Sequence, residues 1–183
     1  MMRVLRVLSL LCLATYPLWV AGLVYAGQSQ HLWWVLCLFV LPQLWLADWR
    51  QPRSYVVVFA TLAVLSVAWI ASPQEAALFY PVWMNLGFFV LFASSLWQKP
   101  AIITRLAQAM EGELPPSGVR YTENVTKVWT VFFLINGSIA WWTATQASLS
   151  VWTWYNGVIA YVLMASLFTI ELGIRYVVKK RHH

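Results

Sequence analysis

The feature that most constrains this chain is a succession of apolar runs, each close to the length that a helix needs to cross a bilayer. A hydrocarbon core takes about 20 helical residues, and six stretches approach or reach that length: 7–26, 31–47, 54–71, 80–97, 128–148 and 152–176. The runs are continuously apolar rather than alternating, which disfavours a transmembrane barrel. Helices are the remaining way to satisfy backbone N–H and C=O groups in lipid. The expected fold is therefore all-α, a polytopic bundle of six transmembrane helices forming a single integral membrane domain over 1–183. Composition agrees: 61% of residues are hydrophobic and 10% charged, against roughly 45–50% apolar and 25% charged in soluble domains. The first run follows Arg3 and Arg6 in the manner of a signal sequence. It is longer than the roughly 7–15-residue core of such a sequence and is read as an uncleaved first span.

The chain has 12 Lys+Arg and 6 Asp+Glu, a net charge of +6. In a soluble protein that excess points to nucleic acid, but in a membrane protein it first reports orientation. Six crossings place Arg3, Arg6, Arg50, Arg53, Lys99, Arg105, Arg120, Lys127, Arg175, Lys179, Lys180 and Arg181 on one side, with both termini. The opposite side carries Glu75 and no Lys or Arg. By the positive-inside rule both termini are cytoplasmic, and the basic excess requires no nucleic-acid partner. The tryptophans follow the same division: Trp45, Trp49, Trp97 and Trp129 fall near cytoplasmic ends, and Trp33, Trp34, Trp69, Trp83, Trp152 and Trp154 near opposite ends, as an aromatic belt requires. Trp19, Trp141 and Trp142 lie deeper and are expected to pack between helices.

Only the fourth connection, about Gln98 to Lys127, is long. Ile102, Ile103, Leu106 and Met110 recur there at helical spacing with Arg105 and Gln108 between them, predicting a short interfacial helix over 101–110. The acids, prolines and glycines from Glu111 to Gly118 predict a turn after it. Lys99, Arg105, Glu113, Arg120 and Tyr121 make this loop the candidate lipid- or partner-binding surface, since juxtamembrane cations attract acidic headgroups. The competing reading is a solvated loop whose basic residues only fix topology.

Five polar residues lie within or near the later spans: Asn85, Asn136, Asn156, Glu171 and Arg175. The three amides are expected to hydrogen-bond between helices, with Ser94, Ser95, Ser138 and Thr143 as helpers, or else to line a polar path. Glu171 and Arg175 are four residues apart on one helix, so they share a face and can pair. That pair reads either as an anchor for the helix end or as a relay. Small residues at Gly137, Ala140 and Ala144, and at Gly157, Ala160, Ala165 and Gly173, predict close helix packing, with a homodimer as a second reading. Cys12 and Cys37 lie in apolar runs without ligand-spaced neighbours, and no triad, metal cluster or phosphate loop can be assembled. The expectation is a non-catalytic protein with no metal or cofactor, whose partners are membrane lipids.

From about Phe79 to Tyr176 the sequence resembles the septation protein A family of small bacterial inner-membrane proteins. The resemblance lies in Lys99-Pro100, Arg105, Glu113-Leu114-Pro115, Trp129 with Phe132-Phe133, and Trp152 with Asn156. It departs from that pattern at Phe79–Trp83, where basic residues are usual. A closer resemblance is to uncharacterised membrane proteins encoded with aryl-polyene, xanthomonadin-like pigment clusters. It is carried by Tyr80-Pro81 with Asn85, Leu114-Pro115-Pro116, Val119-Arg120-Tyr121-Thr122, Val125-Thr126, Tyr155-Asn156-Gly157 and Glu171 with Arg175. These resemblances imply a bacterial inner-membrane accessory of cell-envelope or aryl-polyene lipid biosynthesis, with envelope or polyene-lipid biosynthetic proteins as partners. The alternative is a small lipid or metabolite transporter.

Overall fold

The computed structural model describes residues 15–35 and 72–180, together with Leu62 and Ser66; the side chains of Pro73 and 176–180 are excepted. The predicted spans over 31–47 and 54–71 lie largely outside the described residues. So do 7–14 of the first span, Cys12, Cys37, Arg3, Arg6, Arg50, Arg53, Trp45, Trp49, Trp69 and the tail from Arg181. Every regular element among the described residues is helical. The elements are α1 (15–25), a 3₁₀ turn (Ser29–His31), a helical start at 32–35, α2 (Pro73–Trp97), α3 (Ile102–Glu111), α4 (Pro116–Gln146) and α5 (Leu149–Trp154). A π-helical segment (Tyr155–Ile159) then leads directly into α6 (Ala160–Lys180).

The helix ends follow from local chemistry. Gly27, at φ +68°, closes α1 in a Schellman arrangement: its N–H donates to Val24 O at 3.1 Å and that of Gln28 to Leu23 O at 2.9 Å. Ser72 caps α2 by accepting the Glu75 N–H at 3.1 Å, with Pro73 in the first turn, where its missing N–H costs nothing. The capped turn extends α2 seven positions upstream of the predicted start at 80, and its end at Trp97 coincides with the predicted one.

Two helical segments are long and apolar enough to cross a membrane, Gln74–Trp97 and Leu149–Arg175. α4 does not meet the same hydropathy test, because Asn136, Gly137, Ser138 and its threonines lie among the apolar residues of the span predicted over 128–148. At 31 residues it is about 46 Å long, at 1.5 Å per residue, more than the ~30 Å of a hydrocarbon core. The surface of α4 and α6 is apolar, with Val131, Leu134, Ile135, Val162, Phe168, Ile170 and Ile174 all more than half exposed or nearly so. Soluble monomers rarely leave such continuous apolar area uncovered.

A buried cluster joins α1 to α2 and α5 through Tyr16, Val20, Leu32, Val35, Ala76, Ala77, Tyr80 and Trp152. Fully burying a large apolar side chain contributes roughly 1.5–3 kcal/mol, so this cluster fixes one end of the bundle. Farther along, α2 packs on α4 through Phe88, Phe92 and Phe133, with ring centroids 5.1 and 5.2 Å from Phe133. Gly137 sets how close the two helices come: a Cβ there would lie 3.0 Å from the Asn85 Cβ. At Gly157 the added Cβ would sit 3.5 Å from Pro17, whereas at Gly173 nothing lies within 4 Å. The small-residue pattern thus reflects close packing at Gly137 and Gly157 and not at Gly173.

Three expectations need correction. Trp19, Trp141 and Trp142, expected between helices, are 58%, 52% and 51% exposed; depth along a helix says nothing about which face a residue occupies. Trp152, expected in the aromatic belt, is 1% exposed, because its indole N–H donates to Leu78 O at 3.1 Å inside the bundle. The turn expected over 111–118 is confined to Gly112–Pro115. Pro116 starts α4, so Arg120, Tyr121 and Thr122 ride on a helix rather than a loop. Proline at the first helical position is favoured, since its N–H would have no partner there.

Candidate functional site

The short helix predicted over 101–110 is observed at Ile102–Glu111. Its first backbone donor is satisfied by α2, where Ser95 Oγ accepts the Ile102 N–H at 3.1 Å. Its inner face is small and polar: Thr104 and Ala107 are buried, and the Thr104 and Thr122 hydroxyls meet at 2.8 Å. Leu106 and Met110 point outward, 57% and 71% exposed. A helix that holds the bundle by threonines and turns its large apolar side chains away is suited to a membrane interface.

The charged residues around α3 divide by what they do. Arg105 turns back on its own connection, its guanidinium donating to Pro100 O at 2.6 Å and to Gln98 O at 2.5 Å. Lys99 pairs with Glu123 of α4 at 2.7 Å, and Lys127 reaches Asn124 Oδ1 at 3.3 Å. Arg175 of α6 pairs with Glu111, at the end of α3, at 2.5 Å, with side chains 21% and 29% exposed. The expected Glu171–Arg175 pair is therefore replaced by an interhelical one. The i,i+4 rule counts neighbours on one helix, while the fold brings Glu111 from 64 residues away to the same guanidinium. Arg120 and Glu113 are exposed and form no ion pair or hydrogen bond with the described residues.

Between α4 and α6, beside these charges, lies a groove of about 230 Å³ lined by Tyr121, Asn124, Val125, Val128, Trp129, Leu167, Ile170, Glu171 and Ile174. A second cavity of about 300 Å³ shares Val128 and Leu167 with it and extends along the same helices to Asn136 and Tyr155. The walls are mostly apolar, with Tyr121, Asn124 and Glu171 at the α3 end and Asn136 and Tyr155 at the far end. At the α3 end the Tyr121 hydroxyl lies against Glu171, donating to its backbone O at 3.3 Å and close enough to hydrogen-bond its carboxylate, while the carboxyl oxygen Oε1 is buried without a hydrogen-bond partner. Burial, and then the Glu171 carboxylate, push the Tyr121 phenol above its ordinary range, so near neutrality it is an uncharged donor. Arg120 and Tyr121 line a further shallow depression with Pro116, Ser117 and Asn124, which adjoins the groove through Tyr121 and Asn124.

The buried amides form a separate layer. Asn85 Nδ2 donates to Pro81 O at 2.8 Å, Asn136 Nδ2 to Asn85 Oδ1 at 2.9 Å, and the Tyr155 hydroxyl to Asn136 Oδ1 at 2.8 Å. Asn156 Nδ2 donates to Trp152 O at 3.0 Å and to Thr143 Oγ1 at 3.2 Å. Ser94 and Ser138 bond within their own helices rather than between helices. The π-helical segment begins at Tyr155, and both Tyr155 and Asn156 are buried.

Sequence reasoning missed the role of Pro81. Inside α2 it cannot donate to Ala77 O, and the Tyr16 hydroxyl takes that place at 3.0 Å. Trp152 satisfies the next carbonyl, Leu78 O. A proline within an apolar run signals a carbonyl in need of a donor four residues earlier, but the sequence does not say which aromatic group arrives. Among the described residues no group of His, Cys, Asp and Glu is placed to hold a metal ion. Comparisons of the chain with protein-family models, with curated proteins and with solved structures find no match.

Proposed function

We propose that the chain is a six-helix protein of the bacterial inner membrane, with both termini cytoplasmic, that has no catalytic activity of its own. It acts as an accessory of cell-envelope or aryl-polyene lipid biosynthesis by docking lipid or a biosynthetic partner on the surface formed by α3, the start of α4 and the end of α6. The single observation that carries this reading is the unequal use of charge on that surface. Lys99, Arg105 and Arg175 are engaged in holding the helices together, while Arg120 stands exposed and unengaged beside an apolar groove. Juxtamembrane cations of that kind attract acidic groups. The resemblance of the second half to septation-type and pigment-cluster proteins points the same way.

The test is affinity capture of the full-length protein from its native membrane, followed by identification of what is retained. Acyl-carrier or acyltransferase components should be captured, and Arg120→Ala should lose them. Arg105→Ala should lose them through disturbance of the α2–α3 connection. Unchanged pigment and envelope lipid in a clean deletion contradicts the reading. A second reading, a small lipid transporter, is favoured by the extension of the groove from Glu171 towards Asn136 and Tyr155. Reconstituted protein should then move a labelled lipid between leaflets, at a rate altered by Glu171→Gln.

A further inference from the structure

Near the α3 end of the groove stand two groups of opposite charge, Glu171 and Arg120, that form no ion pair among the described residues. Glu171 forms part of the α4/α6 groove wall, and its Oε1 is buried with no donor. A buried acceptor without a donor is costly, more so when charged. Arg175, the nearest cation in sequence, gives its Nη2 to Glu111 instead. Arg120 offers a full set of guanidinium donors in the adjoining depression and has no anionic partner among the described residues. Tyr121 and Asn124 belong to both hollows, so the depression that holds Arg120 adjoins the groove that holds Glu171. Along the groove run Val125, Val128, Leu167 and Ile170, with no charge among them.

A ligand that satisfies all three features has an acyl chain, a phosphate for Arg120 and a hydrogen-bond-donating cation for Glu171. We propose that the α4/α6 groove is a phospholipid site selective for a zwitterionic head whose ammonium carries N–H donors, that is, a primary-amine phospholipid; this selectivity presupposes the docking role of the same surface. A quaternary ammonium has the same charge but no N–H, and an anionic head offers Glu171 only repulsion or a neutral hydroxyl. Guanidinium pairs well with phosphate, so Arg120 contributes affinity to any phospholipid, and Glu171 contributes the choice among heads.

The test is native mass spectrometry of the delipidated full-length protein in mild detergent, titrated with phosphatidylethanolamine, phosphatidylcholine and phosphatidylglycerol of identical chains. The amine lipid should bind about tenfold more tightly than the choline lipid, the worth of one charge-assisted hydrogen bond. Glu171→Gln should erase that ratio, and Arg120→Gln should weaken both lipids while leaving the ratio intact. Equal wild-type affinity for amine and choline lipids overturns the proposal without recourse to any variant. Tightest binding of the glycerol lipid, or a ratio unchanged in Glu171→Gln, overturns it as well. A lost ratio with partner capture intact removes this site and leaves the docking role standing. An intact ratio with nothing captured and a normal deletion strain upholds the lipid site and removes the partner-docking and biosynthetic role.

Discussion

The amide layer inside the bundle and the charged surface around α3 are both rich in polar groups, yet they are used in opposite ways. In the layer, Pro81, Asn85, Asn136 and Tyr155 form an unbroken sequence of donors and acceptors between α2, α4 and the π-helical segment. Around α3 Lys99 pairs with Glu123 and Arg175 with Glu111, but Glu171 Oε1 is buried without a hydrogen-bond partner and Arg120 is exposed without an ion pair. A network in which each side chain already has a partner holds helices in register and has less left to offer a ligand. An incompletely satisfied surface at the edge of an apolar groove has more. The difference teaches that polarity buried within the bundle is by itself no sign of a transport path; what matters is how much of its hydrogen-bonding capacity is already used.

The largest expected effect of breaking this comparison is at Asn136. Asn136→Ala removes the bonds to Asn85 and Tyr155 together, and each buried hydrogen bond is worth roughly 0.5–1.5 kcal/mol. A loss of about 1–3 kcal/mol should appear as a lower unfolding midpoint in detergent, with lipid binding at the α3 end retained. Gly137→Ala comes next: a methyl 3.0 Å from Asn85 Cβ makes Asn85 give way by a few tenths of an ångström, at about 1–2 kcal/mol before the roughly 0.8–1 kcal/mol that alanine returns to the helix.

Tyr16→Phe should cost about 1 kcal/mol by leaving Ala77 O without its donor. The same substitution in a Pro81→Ala background should cost less, since alanine restores the N–H that proline lacks; a double-mutant cycle measures the difference. An undiminished cost would show that the Tyr16 hydroxyl does not compensate for the proline. Breaking the Arg175–Glu111 pair with Glu111→Gln should lower global stability by about 1 kcal/mol or less, because both side chains are partly exposed. Hydrogen exchange of the α3 amides should nevertheless rise. The smallest effect on stability, within about 0.5 kcal/mol, is expected for Arg120→Gln, the substitution with the largest expected effect on docking.

Much of this architecture was legible in the sequence because it depends on local rules. Run length and the Trp97–Pro100 boundary located the end of α2, the 101–110 periodicity located α3, and single asparagines in apolar runs identified groups in need of partners. Partner identity was less legible, since it depends on how helices come together. Arg175 has a carboxylate four residues away and pairs instead with Glu111 on another helix. Trp152 has the sequence position of a belt residue and serves as a buried donor to α2. Trp141 and Trp142 are deep along α4 and still face outward. The start of α4 was misjudged for a different reason: two prolines and two glycines resemble a continuous turn, although Pro116 is well suited to begin a helix.

The central claim is that ligand docking belongs to the α3 end and not to the amide layer. Hydrogen–deuterium exchange of the full-length protein, in bilayers with and without a primary-amine phospholipid, addresses both regions in one measurement. The account predicts added protection in 116–127 and 167–175 on adding that lipid, with 81–85, 133–140 and 152–156 unchanged. Protection centred on Asn85, Asn136 and Tyr155, with no change around Tyr121 and Glu171, would contradict it.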